Sequence, residues 1–508
     1  MCRSIAASEV ISRCPNRHSP DGSTVTSAPH MSQRASRPEC SCWRRALRRA
    51  RAEGGRSFRG DGSAMLRTLH ALVPSVLYSA PVVCPMSGPP VAQGGVLVSD
   101  GFIVGVGARS DLRPSADREH EVDGVLLPGL TDGHTVLEHS DVREIARPGP
   151  FHLWLRAVMG YTRGWDAERW SRSARRGVQD ALRHGVTTVV DQVIRGAAVP
   201  AASKAGLAGH SLVRLMWVDR PLADEVLAAV ETSLGRPAPG RTVGVAAHAP
   251  YTVGTGVLQS LAALATKLER PFQVAVAESN AEISALRNGD GPLVDLVREF
   301  DMDFEWMDQP VGTGAVSYLD SLGVLGPGGS VAHGVWVDLA EARRLAATGT
   351  AVVCCPRANT ALQVGDAPLE RFADAGVALA LGTSSPAAVG DADILAEAAA
   401  WVETARRREM FLWPSPAGPI PLEEAAIRLA TVDGARALGL GSVSGVLEPG
   451  RRADLVGVSI QTSVETVYTD LIDHGLGRQV LTVLGGVRRS RRDDADTPWP
   501  VLEEWREL

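Results

Sequence analysis

Residues 242–279 read TVGVAAHAPYTVGTGVLQSLAALATKLERPFQVAVAES, and their period changes twice. TVGVAAH and FQVAVAES are short β-branched and alanine-rich runs of strand length. Between them LQSLAALATKLER repeats Leu and Ala at helical spacing. A strand, a helix and a strand in so short a stretch form a βαβ unit, which requires a parallel pair. The same alternation extends outward through GVLLPGLTDGHTV from 124, VTTVVDQ from 186, SLVRLMWV from 211, SVAHG from 330, TAVVCCP from 350 and VALALGT from 377. Counted together these are eight strands with intervening helical patterns, the arithmetic of an α/β fold of (β/α)8 TIM-barrel type.

Flanking the barrel pattern are short alternating strands with turn signals, at 95–127 and again at 445–490. Two such separated segments are expected to share one small composite β-sandwich. The expected organisation is an Arg-rich tail at 1–64, a sandwich from 65–127 and 440–495, a barrel at 128–439 and a short tail at 496–508. The first 64 residues hold twelve Arg against five acids and lack any apolar period, so they are expected to be disordered, with Met65 as the expected natural start.

The chain has 508 residues, 44% of them apolar, and a net charge of −6. That balance gives no reason to expect nucleic acid or an anionic membrane as a partner. No apolar run reaches the roughly 20 residues of a membrane span, and no signal-peptide core is present, so the expected compartment is the cytoplasm. Only Cys84, Cys354 and Cys355 of the seven Cys lie in the patterned region, which excludes a disulfide framework. In a strand, Cys354 and Cys355 point to opposite faces and cannot grip one metal together.

Barrel chemistry sits at the carboxyl ends of the strands. The polar residues closing the runs are His134, Asp191, His248, Glu278, His333, Cys354 or Cys355, and Ser384. Any one of them can be a locally satisfied polar group; several at one rim point to a site.

These residues sit in motifs that carry a resemblance. PGLTDGHTVLEHS (128–140), HAPYTVG (248–254), VAESNAEI (276–283), VAHGV (331–335), CPRAN (355–359), LGTSS (381–385) and GVLEPGRRADLV (445–456) resemble, in order and spacing, the amidohydrolase superfamily. The likeness is greatest to its deaminase and chlorohydrolase branch, aminodeoxyfutalosine deaminase-like proteins included. It implies hydrolysis of carbon–nitrogen bonds in aminated heterocycles by a metal-activated water. It also implies Glu278 and His333 as the proton-transfer pair, with His248 and Arg357 contacting substrate. The family's metal ligands are an HxH pair, a fifth-strand His and an eighth-strand Asp; the matching positions here are His134, Val136, Ala275 and Ser384.

Three of the four ligand positions therefore carry no ligand of the family's kind. His139, Cys354 and Asp391 are the candidate substitutes, with Zn or Fe as the metal of such a rebuilt site. Otherwise no cofactor is expected. Three functions stay open: a deaminase with a rebuilt metal site, a metal-independent acid–base enzyme, and a non-catalytic relative that binds a small molecule or serves as a regulatory subunit. The partner expected is a small molecule, and the resemblance allows a homodimer.

Overall fold

The strand Val186–Val193 is buried along its whole length, as a strand covered on both faces must be. In the computed structural model, which describes residues 74–145, 148–219, 223–236, 238–493 and 495–496, it is one of eight parallel neighbours. The expected tail at 1–64 lies outside the described residues, as do 497–508.

The chain begins with β1 (Val76–Val83), β2 (Val91–Ser99), β3 (Phe102–Ala108), β4 (Arg118–Glu121) and β5 (Val125–Pro128). The barrel follows as β6 (Leu130–Thr135), β7 (Val186–Val193), β8 (Ala208–Leu215), β9 (Thr242–Ala247), β10 (Phe272–Val276), β11 (Gly329–His333), β12 (Ala351–Cys354) and β13 (Leu379–Leu381). A two-stranded hairpin, β14 (Leu412–Trp413) with β15 (Ile420–Pro421), and the closing strands β16 (Leu455–Val458), β17 (Gln479–Leu484) and β18 (Val487–Arg491) complete the order.

The first five and last three strands join in one eight-stranded sheet, ordered β18-β17-β16-β5-β1-β2-β3 with β4 beside β1. Period-2 alternation gives this sheet two apolar faces. Tyr78, Ala80, Val96, Val98, Leu455 and Leu481 form a core of its own. Val125, Leu127, Val456 and Val458 face the other way and merge with the barrel's apolar cluster.

The barrel strands pair consecutively from β6 to β13. Its first and last strands are clasped by Asp132, whose carboxylate accepts from Thr383 Oγ1 at 2.6 Å and Thr383 N at 3.1 Å. Beside this clasp Gly382 is required: a Cβ there would lie 2.8 Å from the backbone nitrogen of His134. Among the described residues, no helix is long and apolar enough to cross a membrane.

Asp393 ties the sheet to the barrel. Its Oδ1 caps the helix Ile394–Arg407 through Leu395 N and also accepts from Gln479 Nε2 at 2.9 Å, while Oδ2 accepts from Gly477 N at 2.8 Å. Asp393→Ala removes a cap and two bridging bonds at once. The expected loss is about 2–4 kcal/mol, read as a lowered thermal midpoint, with Asp393→Asn recovering only part of it because Oδ1 is kept while the amide nitrogen cannot accept from Gly477 N.

Candidate functional site

Strand alternation and parallel order bring polar side chains from separate strands to one rim. His134 stands on β6, Arg214 on β8, His248 directly after β9, Glu278 two residues past β10, His333 at the end of β11 and Ser384 three residues past β13. Ala277, His333 and Ser384 have positive φ, at 51°, 71° and 60°. Such backbone costs a non-glycine residue about 1–3 kcal/mol and clusters at functional sites.

Three imidazoles are oriented by oxygen acceptors. Gln273, buried inside the barrel on β10, donates Nε2 to Gly133 O and to Ser330 Oγ, each at 3.0 Å. Its Oε1 therefore faces His134 Nδ1 at 2.7 Å, so Nδ1 carries the hydrogen and Nε2 the lone pair. Thr252 Oγ1 donates to Ala249 O and so accepts from His248 Nδ1 at 3.0 Å. His333 Nδ1 meets Asn359 Oδ1 at 3.0 Å. In each ring the Nδ1 hydrogen is taken, and Nε2 is left as an acceptor.

Burial sets the charges. The Glu278 carboxyl is pushed up to about 8 by desolvation, with the Arg214 guanidinium pulling it back. The His333 ring is pushed down to about 4 and the His134 ring to about 3, burial being the largest cause of each. His248 is held well below its ordinary value for the same reason. At neutral pH Glu278 keeps its proton and the imidazoles are uncharged. Glu278 Oε1 and His333 Nε2 lie 3.5 Å apart, beyond a good hydrogen bond yet close enough to tighten around a ligand. Glu282 positions this acid by accepting from the backbone nitrogens of Ala277 and Glu278, both at 2.9 Å.

The remaining candidates are placed differently. Val136 and Ala275 are buried but belong to none of the apolar clusters of the helix layer. Ser384 donates its backbone N–H to His134 O at 2.8 Å. Cys354 faces outward toward Trp401 and Thr404, and burial pushes its thiol up to about 12. Asp391 holds Arg357 in a two-pronged ion pair at 2.7 and 3.0 Å, and Glu397 lies 3.7 Å from the same guanidinium. That pairing occupies Arg357, the expected substrate contact. His139 Nδ1 is 3.1 Å from Ser385 Oγ. Among the described residues, no three or more His, Cys, Asp or Glu side chains form a group that could hold a metal ion. The substitute set of His134, His139, Cys354 and Asp391 is thus not assembled: strand alternation turns Cys354 away and Asp391 is committed to an arginine. Asp191 is a backbone acceptor, taking Leu137 N at 2.9 Å.

Two residues of the site were not singled out in the sequence. Arg214 is the one charged residue in the run SLVRLMWV, and Gln273 the one polar residue among the apolar residues of β10. Each is a lone polar residue in a strand pattern, which is the only signal that would have found it.

A folded-state value near 8 against an ordinary 4.5 means that native Glu278 binds a proton the unfolded chain has released. Its contribution therefore destabilises the fold as pH rises from about 4.5 to about 8. Glu278→Gln removes that term, so thermal midpoints of variant minus parent should grow with pH across this window and level off above it. A difference that stays flat with pH contradicts the assignment.

Residues 125–484 match the model of the amidohydrolase family. The chain is 28% identical over 399 residues to the 5'-deoxyadenosine deaminase of Methanothermobacter thermautotrophicus, covering 75% of this chain and 84% of that protein. It is 32% identical over 309 residues to the aminodeoxyfutalosine deaminase of Deinococcus radiodurans, covering 58% and 72%. An adenosine deaminase structure from Xanthomonas campestris with bound zinc superposes with a TM-score of 0.69 at 26% identity, covering 84% of this chain and 95% of that one. A parallel barrel with its polar rim, joined to a sheet built from both ends of the chain, accompanies a family match over most of the length; the chain belongs to the amidohydrolase family.

Proposed function

We propose that this chain binds an aminated heterocycle of the adenosine class in the barrel mouth and moves protons on it through Glu278 and His333, without a metal-activated water. The observation that carries this reading is which residues stand at the positions that match the family's metal ligands. Val136 and Ala275 offer only hydrocarbon and Ser384 a neutral hydroxyl, whereas a catalytic zinc takes about three protein donors. Apolar groups at that spot disfavour a cation whose charge must be coordinated. The residues present do not fit a divalent transition ion.

What the mouth retains is acid–base chemistry. Glu278 in its protonated form can donate to a ring nitrogen. The Nε2 lone pair of His333 can accept from an exocyclic amine. A positioned acid or base of this kind contributes about 10²–10⁴ in rate. The relatives named above, deaminases of adenosine-type compounds, support the choice of ligand class.

A metal-dependent deaminase is the second reading, favoured by the zinc in the Xanthomonas campestris structure. It requires donors that His139, Cys354 and Asp391 supply only after rearrangement. Protein prepared without chelator separates the two. We expect well under about 0.1 equivalent of Zn, Fe or Mn per chain, and no chelator-sensitive ammonia release from 5'-deoxyadenosine. Combining Val136→His, Ala275→His and Ser384→Asp should create zinc uptake near one equivalent. Stoichiometric metal in the parent protein, with deamination lost on chelation, overturns the proposal.

A further inference from the structure

The helix Phe151–Thr162 is tied to opposite sides of the barrel rim. On one side Gly149, just before it, donates its backbone N–H to Ala361 O at 2.9 Å, and Trp154 donates Nε1 to Ala387 O at 2.9 Å. Ala361 and Ala387 lie in the short helices that directly follow β12 and β13. On the other side Arg156 pairs with Glu299 at 2.8 Å. Glu299 ends the helix Pro292–Glu299, and the next residue, Phe300, stacks on Trp217, two residues past β8, with ring centroids 5.2 Å apart. β8 and β12 stand four strands apart in a ring of eight, so a helix tied to both neighbourhoods spans the opening. The site below is closed: His134, His248, Glu278, His333 and Ser384 are each no more than 5% exposed. A heterocycle reaches them only when a covering element moves.

The hold on this helix is uneven. At its carboxyl end Arg169 Cζ lies 4.4 Å over the Trp165 ring and 5.2 Å over the Tyr161 ring, and Trp165 packs on Trp170 at 4.8 Å. This ladder of stacked groups fastens it to the following helix, Ala167–Arg183. Its amino end has no side-chain cap, and its middle is held by one indole hydrogen bond and by an ion pair whose partners are 59% and 46% exposed. Such an exposed pair contributes little and breaks easily. The rest of the hold is the non-directional packing of Phe151, Leu155 and Val158, the buried face.

We propose that the helix Phe151–Thr162 is a hinged cover of the barrel mouth: it turns about the aromatic ladder at its carboxyl end, and the Arg156–Glu299 pair is the latch that releases to admit ligand. The cover operates whatever occupies the mouth, so it goes beyond the function proposed above and does not depend on it.

The test needs no ligand. Diethyl pyrocarbonate acylates neutral imidazoles, and peptide mass analysis of the whole protein reads the rate at each histidine. His248 and His333 report opening, with exposed His474 as the internal reference. In the parent both should react far more slowly than His474. Arg156→Ala should raise their rates about threefold, as loss of one exposed ion pair shifts the closed–open balance, and Trp154→Phe about fivefold. Arg156→Glu should open the cover further by repulsion, and combining it with Glu299→Arg should restore the parent rate. His474 rates and thermal midpoints should stay unchanged. Mouth histidines that react as fast as His474 in the parent overturn the cover, as do equal rates in parent and variants, rises that track a lowered midpoint, or a reversed pair that fails to restore closure. Stoichiometric metal in the protein would overturn the function proposed above and leave the cover standing.

Discussion

The side-chain amide of Gln273 is saturated. It donates to Gly133 O and Ser330 Oγ and accepts from His134 Nδ1 and Gln192 Nε2, linking β6, β7, β10 and β11 across the barrel interior. An amide with all of its directions used can face only one way, and that orientation decides which nitrogen of His134 is protonated. The same strand face carries Ala275 two residues further on, so one face of β10 presents both the amide that orients an imidazole and a methyl group. The character of the mouth follows from this pairing of a fixed polar hub with small apolar neighbours.

Burial then dominates the titratable groups of the barrel rim. It suppresses charge on carboxyls and imidazoles, raising Glu278, Asp132 and Asp191 while lowering His134, His248 and His333. Arg214 resists this, because even pushed down to about 10 its guanidinium stays protonated near neutrality. The result is a site of neutral donors and acceptors around a single persistent cation.

The barrel was legible because its strands and helices differ in period, and repetition of that switch reveals both the element type and the rim. His134, His248, Glu278 and His333 could be named because they close apolar runs. Arg214 and Gln273 could not, since a polar residue inside a run gives no sign of which face it occupies until the register of the neighbouring strands is known. The partner of Asp391 was hidden for a related reason: Arg357 is distant in sequence, and ion pairing between loops leaves no periodic trace. Which of Cys354 and Cys355 faces outward emerged only with the helix carrying Trp401. The flanking strands read as one composite unit built from two separated segments, and pairing of β5 with both β1 and β16 joins those segments in a single sheet.

That pairing has a temporal side. Val125 of β5 lies opposite Val458 of β16, so β5 meets its carboxy-terminal neighbour only after the entire barrel has been synthesised. On the ribosome β1 to β5 emerge first and wait with an unpaired edge, a state that invites association with other nascent chains. Assembly of this sheet is thus a final locking event, and any truncation before residue 455 strands the beginning of the protein as well as removing its end.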